Sequence, residues 1–177
     1  MSLTLCRSRI IFNLRLGGTQ TRKRIIPPVQ KEMPSADEDW LDLDRVAEVE
    51  ITSEDAAHPI ESALLPHRSS GWRAAGPGEQ TIRLLFAHPQ RLRRIWLEFL
   101  EPNAERTQEF VLRWSQDGGQ SFREIVRQQW NFSPQGATRE TEDHDVDLSG
   151  VTVLELRIIP DISRGNARAS LAQLRVA

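Results

Sequence analysis

Short runs in which apolar and polar residues alternate recur through most of the chain, from residue 47 onward. In the first run, Val49 and Ile51 are each preceded by a glutamate. The same period of two returns at residues 82–86, 95–99 and 110–114. Because successive side chains of a β-strand point to opposite faces, this pattern predicts strands with one face in a core and the other in water.

Residues 114–122 predict a β-hairpin. They read Trp-Ser-Gln-Asp-Gly-Gly-Gln-Ser-Phe, so a glycine-rich turn lies between two apolar runs. Val126 and Trp130 continue the returning strand, and no stretch of the body predicts a helix of three or more turns. Three further strands are expected at 140–148, 152–159 and 168–176. About eight short strands in roughly 140 residues predict an all-β fold, an antiparallel β-sandwich of the jelly-roll type.

The even charge balance of the chain conceals two segments of opposite sign. The 177 residues include 23 lysines and arginines and 25 acidic residues, and seven of the basic residues but one acidic residue lie within positions 1–35. We therefore predict a basic, disordered tail over residues 1–38, or translation from Met33 instead of Met1. One folded domain is expected over residues 39–177. Its acidic balance argues against nucleic acid as a partner.

Cysteine content and hydropathy limit the expected compartment. Cys6 is the only cysteine, so no internal disulfide can form. Arg7, Arg9 and Arg15 interrupt the apolar residues near the N-terminus, which therefore lack the continuous run of roughly 7–15 residues that a secretory signal requires. No apolar run approaches the roughly 18 residues of a membrane span. We expect a cytoplasmic protein without a membrane span.

The residues around the predicted hairpin resemble a known family. The strand at 110–114 leads into Ser115-Gln116-Asp117-Gly118, and an aromatic residue, Phe122, follows. This Ser-x-Asp-Gly hairpin resembles the hallmark of the discoidin, or coagulation-factor type C, family. Weaker similarities to other strands of the family lie at residues 69–74, 79–86, 92–99, 153–160 and 169–176. Together they cover roughly residues 46–177.

The resemblance implies a galactose-binding-like jelly roll without enzymatic activity, as in bacterial carbohydrate-binding modules and eukaryotic adhesion and lipid-binding domains. It also implies that loops at one end of the sandwich bind the ligand. Many members hold a structural calcium ion in an Asp-Gly-x-x-x-Thr-x-Trp loop, but the corresponding residues 62–72 contain no Asp. Calcium is the one cofactor that the family allows, and this sequence predicts none. The cysteine pair of the extracellular members is also missing, in keeping with a cytoplasmic protein.

Candidate ligand-binding residues lie in three predicted loops. A sugar ring offers an apolar C–H face to aromatic rings and hydroxyl groups to polar side chains. Trp130, Asn131 and Phe132 place two rings around an amide, and Phe132 is the ring expected to be exposed. Trp130 is in phase with core positions and can instead belong to the core. The remaining polar candidates are Arg139, His67, Arg68, Arg73, Arg164 and Asn166. Three other tryptophans are expected in the core, namely Trp72, Trp96 and Trp114.

No arrangement of residues typical of an enzyme occurs in the sequence. There is no Gly-x-Ser-x-Gly motif, and the four histidines are scattered, without a His-Glu-x-x-His motif. The most acidic stretch, residues 140–147, would place its three aspartates on one face of a strand and His144 on the other. Such a group can bind a metal ion or act as acid and base. The favoured alternative is a solvated face opposed by Arg123 and Arg127.

The sequence therefore predicts a non-catalytic binding module that recognises a carbohydrate or a similar small polar ligand. The alternative is a cytoplasmic protein–protein interaction or scaffolding domain that binds no sugar. An enzyme that uses the acidic stretch and His144 is the least favoured hypothesis.

Overall fold

The computed structural model describes residues 40–65 and 70–177. This part of the chain contains eight strands, and its two helices have four residues each. In chain order the elements are α1 Leu43–Val46, β1 Ala47–Ile51, α2 Glu61–Leu64, β2 Trp72–Pro77, β3 Gln80–Leu100, β4 Arg106–Ser115, β5 Arg123–Phe132, β6 Arg139–Ile159, β7 Arg168–Leu171 and β8 Gln173–Val176.

Strands β3 and β6, with 21 residues each, form the central antiparallel pair. Residues 80–85 pair with 153–158, and residues 92–100 pair with 139–148. Between these two stretches the register shifts at three places, and irregularities of this kind bend a strand. The alternation in the sequence predicts two separate strands within each of these regions. Each region is instead one long strand, because backbone pairing continues through the irregular part.

The two halves of this pair bind different neighbours. The half of β3 that begins at Gln80 pairs with β1, and the half of β6 that ends at Ile159 pairs with β4, so the sheet order is β1–β3–β6–β4–β5. Strand β8 instead pairs with residues 95–98 of β3, and β2 pairs with β7 in a separate sheet. All of these pairings are antiparallel. The prediction of an all-β, antiparallel sandwich with jelly-roll topology is confirmed.

The core lies between the layers and follows the predicted alternation. Ile82, Leu84, Leu97 and Leu112 are at most 1% exposed. The rings of Phe99 on β3 and Phe110 on β4 lie 5.3 Å apart between centroids, inclined by 31°. Burying a side chain of this size contributes roughly 1.5–3 kcal/mol, so these inward positions supply much of the stability of the fold.

The predicted core tryptophans occupy three different environments. Trp72 is buried, as predicted, whereas Trp114 is half-buried against the core with the Arg123 guanidinium 5.5 Å from its ring centroid. The prediction for Trp96 is wrong. Its neighbours in sequence, at positions 95 and 97, both face the core, so strand alternation places Trp96 on the opposite face.

The predicted hairpin joins β4 to β5, and its motif residues form a compact hydrogen-bond network. The Ser115 hydroxyl donates to Asp117 Oδ1 at 2.6 Å and accepts from the Gly119 amide at 2.9 Å. The Ser121 hydroxyl donates to the other Asp117 oxygen, at 2.6 Å. These bonds, first of all the one from Ser115, hold the pKa of the Asp117 carboxyl well below its usual range. Gly118 and Gly119 have φ angles of +70° and +88°, which explains the glycine pair at the turn.

Beyond the hairpin, Phe122 covers a charged ladder on the outer face of the sheet. Glu155 on β6 lies between Arg83 on β3 and Arg113 on β4 in the strand register. Its Oε2 accepts a hydrogen bond from Arg83 Nε at 2.8 Å, and its Oε1 accepts one from Arg113 Nε at 2.9 Å. The two guanidinium carbons lie 5.7 and 4.9 Å from the centroid of the Phe122 ring. Glu155 is consequently fully buried on a face that would otherwise be solvated.

We expect Glu155→Gln to lower the free energy of unfolding by about 1–3 kcal/mol, because it leaves two arginines around a neutral amide. Glu50→Gln is the matched control, since Glu50 approaches the same Arg83 at 3.5 Å from a position that is 59% exposed. The control should change the free energy by less than about 1 kcal/mol. Urea denaturation of the three proteins measures both values. Equal effects would show that the ladder contributes nothing beyond a surface ion pair.

Candidate functional site

Four segments meet at one end of the sandwich, which we call the loop end: residues 52–60, 101–105, 133–138 and 160–167. The Glu101 amide donates to the Thr138 carbonyl at 2.9 Å, and the Ile162 amide donates to the Thr107 carbonyl at 2.9 Å. The Arg73 amide on β2 donates to the His58 carbonyl at 3.1 Å. The β4–β5 hairpin lies at the other end of β4, about 30 Å away for a strand of this length.

Five of the predicted ligand-binding residues are exposed at the loop end, on three strands and a loop. They are Arg73, Asn131, Arg139, Arg164 and Asn166. Two of the five have side-chain partners: Asn131 Oδ1 accepts from the Thr107 hydroxyl at 2.6 Å, and Arg139 pairs with Glu98. The predicted residues His67 and Arg68 lie outside the described residues.

The aromatic candidates do not form an exposed stacking surface. The prediction that Phe132 is exposed is wrong: the side chain is 1% exposed, because β5 extends to Phe132 and its alternation turns the ring inward. The Arg106 guanidinium carbon lies 5.5 Å from the centroid of this ring. Trp130 is half-buried against the core, which agrees with the alternative prediction that it belongs to the core. Its Nε1 is buried without a hydrogen-bond partner.

Arg106, which is not among the residues predicted from the sequence, is the central side chain of the loop end. Its Nη1 donates to the carbonyls of Pro160 at 2.7 Å and Arg168 at 3.4 Å. Its Nε lies 3.2 Å from Glu101 Oε2, but the angle does not satisfy a hydrogen bond, and Nη2 also lacks a partner. Burial lowers the pKa of this guanidinium and the nearby charge of Arg73 lowers it further, against opposing effects of Glu101 and Asp161. The alternation of β4 could have identified Arg106 from the sequence, because Arg106 lies an even number of residues from Phe110 and so shares its inward face.

The loop at 160–167 is shaped by Asp161. Its Oδ1 accepts from the Ser163 amide at 2.9 Å and from the Ser163 hydroxyl at 2.7 Å. These bonds keep the pKa of the Asp161 carboxyl below its usual range. The Arg164 amide donates to the Asp161 carbonyl at 3.1 Å, and Arg164 has a φ of +63°, in the left-handed region. The tight turn leaves the side chains of Ile162 and Arg164 exposed.

Two apolar side chains at the loop end were also not predicted. Leu100, at the end of β3, is 38% exposed, and Ile162 is 44% exposed. Within residues 40–65 and 70–177, they are the only large hydrophobic side chains exposed to this degree. Exposed apolar groups beside polar ones are typical of a contact surface, because a ligand or partner can cover them.

Solved structures share this architecture. A family 32 carbohydrate-binding module of AlyQ, in complex with 4,5-unsaturated mannuronic acid, superposes with a TM-score of 0.55 at 16% identity, covering 75% of this chain and 95% of that one. The fold is that of the family 32 carbohydrate-binding modules. It is the discoidin-like, galactose-binding-like jelly roll that the sequence predicted.

Two further modules agree with this result. A pectin-binding module gives a TM-score of 0.55 at 15% identity, covering 75% of this chain and 90% of that one. The family 32 module of NanJ from C. perfringens, in complex with galactose, gives 0.55 at 14% identity, covering 73% and 92%. Some of the similar modules are parts of enzymes. No family model and no curated protein matches the sequence, so the similarity is one of fold.

Residues 61–72 correspond in sequence to the loop in which members of the resembling family hold calcium. Calcium requires about six to eight oxygen ligands, several of them carboxylates. In this segment Ser62, Ala63 and Leu64 are buried on α2, and Glu61 supplies the only carboxylate of residues 61–72. Throughout the described residues, no three His, Cys, Asp or Glu side chains lie close enough together to hold a metal ion. The described helices are also too short to cross a membrane.

The acidic stretch on β6 divides between two faces, as predicted, but with different arginine partners. On the outer face, Arg94 binds Asp143 through two hydrogen bonds of 2.7 Å, and Arg91 binds Asp147 at 2.8 Å. The expected partners were on β5, but this half of β6 pairs with β3, so β3 supplies the opposing charges. The two predicted arginines bind elsewhere: Arg127 pairs with Glu109 and Glu124, and Arg123 lies over Trp114.

On the inner face of the same stretch, polar groups are enclosed between β6 and β5. Glu140 is 5% exposed, and burial together with a hydrogen bond and the charge of Glu142 raises its pKa to about 8. Glu142 accepts a hydrogen bond from Gln128 on β5 and lies 3.6 Å from His144 Nε2. Glu140 is therefore buried on this face, and Glu142 and His144 are half-buried beside it, so the face is not a solvated surface.

The raised pKa of Glu140 predicts an unusual loss of stability as pH rises from about 4.5 to about 8. Between its ordinary value of 4.5 and about 8, the folded protein retains a proton that the unfolded chain releases. The free energy of unfolding must therefore fall as pH rises through this range. Glu140→Gln, which mimics the protonated carboxyl, should raise the Tm near pH 8 by about 5 °C and have little effect near pH 5.

Thermal melts across this pH range measure the effect. Glu48→Gln serves as the control, because Glu48 is exposed on β1 and its substitution removes the same charge from water. If Glu140→Gln and Glu48→Gln give parallel curves of Tm against pH, the carboxyl of Glu140 is ionised like an exposed one and the interpretation is wrong.

Proposed function

We propose that this protein is a non-catalytic module that binds a carbohydrate through its loop end. The observation that carries the proposal is the combination of exposed polar and apolar side chains at one end of the sandwich. Arg73, Arg164 and Asn166 supply hydrogen-bond donors, and Leu100 and Ile162 supply apolar surface. A saccharide needs both kinds of contact, because its hydroxyl groups and C–H faces alternate around the ring.

The ligands of the similar modules are compatible with this proposal. One module was solved with an unsaturated mannuronic acid and another with galactose, and a third is described as pectin-binding. These ligands belong to those proteins, at identities of 14–16%. They support a saccharide as the class of ligand to be tested first.

The apolar part of the proposed contact differs from aromatic stacking. No Trp or Phe in the described part of the loop end is exposed, because Phe132 faces the core and Trp130 is half-buried. Leu100 and Ile162 would cover the sugar instead. Aliphatic side chains lack the flat face and quadrupole of an aromatic ring, so we expect a modest affinity, with a dissociation constant of about 0.1–1 mM.

A protein partner is the second candidate for the same surface. Leu100 and Ile162 are exposed apolar side chains of the loop end, which also carries the ion pairs Arg139–Glu98 and Arg168–Asp55. Protein–protein interfaces also combine exposed apolar residues with polar residues around them. A cytoplasmic location, which we retain as part of this second proposal, would favour it over a glycan ligand.

A panel of neutral and acidic oligosaccharides, titrated by calorimetry and by amide chemical shifts, tests the first proposal. We expect at least one to bind and to shift residues 101–105, 133–138 and 160–167. Ile162→Ser should weaken that binding about fivefold or more, since it removes exposed apolar contact area. Gln120→Ser, in the exposed hairpin at the other end, is the matched control and should bind as the unaltered protein does.

The outcomes separate the two candidates. Absence of binding to every saccharide at millimolar concentration would reject the carbohydrate proposal. A protein recovered from the native host that loses affinity for Ile162→Ser, and not for Gln120→Ser, would then favour the second. Binding whose shifts fall on the hairpin would reject the loop end as the site.

A further inference from the structure

Three arginines on three different strands lie at the loop end, and we call them the arginine cluster: Arg73, Arg106 and Arg168. Strands β2 and β7, which carry Arg73 and Arg168, pair directly. Arg106 on β4 contacts the main chain of β7, since its Nη1 donates to the Arg168 carbonyl at 3.4 Å. The charge of Arg73 is also close enough to disfavour the protonated form of Arg106. Like charges that approach one another repel unless anions neutralise them.

The protein supplies carboxylates to two members of the cluster. Arg106 Nε lies 3.2 Å from a Glu101 oxygen, and Arg168 Nη1 lies 3.6 Å from an Asp55 oxygen. Arg73 forms no ion pair with any residue in the described ranges, and its side chain is exposed. Arg164, on the loop at 160–167, is likewise exposed without a carboxylate partner among these residues.

Arg106 provides a second observation at the same place. Its side chain is 2% exposed, yet Nη2 and Nε make no hydrogen bond. Leaving donors of a buried charged group unsatisfied is costly, so the arrangement is stabilised when an anion is near. The cluster therefore has one guanidinium without an anion, Arg73, next to a buried guanidinium whose donors are only partly satisfied.

We propose that the ligand of the loop end is an acidic saccharide whose carboxylate binds Arg73, with Arg106 fixed behind it. This inference rests on the proposed function and adds the chemical class of the sugar. A guanidinium matches a carboxylate with two parallel N–H···O bonds, which are about twice as strong as bonds to a neutral hydroxyl. A uronic acid residue carries such a group on C5, where a neutral hexose carries a hydroxymethyl group.

Matched pairs of oligosaccharides test the inference. Oligogalacturonate is compared with its carboxyl-reduced form, and an alginate oligosaccharide with its carboxyl-reduced form, so that each pair differs only in carboxylate against hydroxymethyl. We expect one acidic member to bind about tenfold more tightly than its reduced partner. The preference should shrink as salt rises from about 0.05 to 0.5 M, because Arg73 is exposed and its charge is screened.

Substitution identifies the residue responsible. Arg73→Gln should bring the affinity for the acidic oligosaccharide down to that for the reduced one, and should weaken the reduced one much less, because the Gln amide still offers a donor to a hydroxyl group. Arg73→Lys keeps the charge but loses the two-pronged geometry, and should retain part of the preference. Arg91→Gln is the matched control, because Arg91 is exposed and pairs with Asp147 away from the loop end. Thermal melts confirm that each variant is folded.

The results distinguish this inference from the proposed function. If reduced oligosaccharides bind as tightly as acidic ones, the carboxylate inference is overturned and carbohydrate binding stands. If acidic oligosaccharides are preferred but Arg73→Gln and Arg91→Gln weaken them equally, the assignment to Arg73 is overturned. If no neutral or acidic saccharide binds, both the proposed function and the inference fall.

Discussion

The antiparallel pairing of β3 with β6 is the constraint on which the rest of the molecule depends. One half of each strand pairs with β1 or β4 and the other half does not, so the six-stranded sheet cannot form without this pair. The irregular register between Leu85 and Arg94 allows the change of neighbours. Both ends of the paired region lie at the loop end, because Arg106 contacts Glu101 just after β3 and Pro160 just after β6. The candidate site is thus a consequence of the central pairing.

Buried charge is used in this fold where strands and loops must be fixed against one another. Glu155 joins β3, β6 and β4 across the outer face, and Arg106 joins the ends of two loops to β7. Burying such a charged group costs desolvation energy. When every hydrogen-bond partner is in place, the group favours one specific arrangement of the strands and loops around it. In the Glu155 ladder both carboxylate oxygens have donors. In Arg106, by contrast, two of the guanidinium nitrogens have no hydrogen-bond partner. The Glu155 ladder is therefore a complete structural network, whereas Arg106 lies beside a candidate binding surface with donors to spare.

Strand alternation made much of the fold predictable, and long-range pairing limited the rest. The period of two identified the buried positions of β3 and β4 and the two faces of the acidic stretch on β6. It did not reveal that residues 87–91 continue β3, because exposed residues around His88 and Pro89 have the composition of a loop. The misplaced arginine partners have the same origin, since sequence order does not show which half of β6 lies beside β3. The tail over residues 1–38 and the domain over 39–177 remain predictions.

Site residues that lie in predicted loops could be predicted from the sequence. Those that lie on inward-facing strand positions could not. Arg73, Arg164 and Asn166 were recognised as polar residues of predicted loops. Phe132 was assigned to a loop although it closes a strand, so its ring was expected in the wrong place. Arg106 was missed because a charged side chain on an inward position is unusual, and its partners at Pro160 and Arg168 lie more than 50 residues away.

Arg106 and Arg73 have different roles at the loop end, and the difference affects how strongly the loop end can prefer acidic over neutral sugars. Arg106 is bound to two carbonyls before any ligand arrives, so the loops that it connects need little ordering on binding. Arg73 is exposed, and its rotamer freedom must be lost when it contacts an anion. A strong carboxylate bond can offset this loss, whereas a neutral hydroxyl offsets less of it. The same geometry that keeps the affinity for neutral sugars low therefore increases the discrimination in favour of acidic ones.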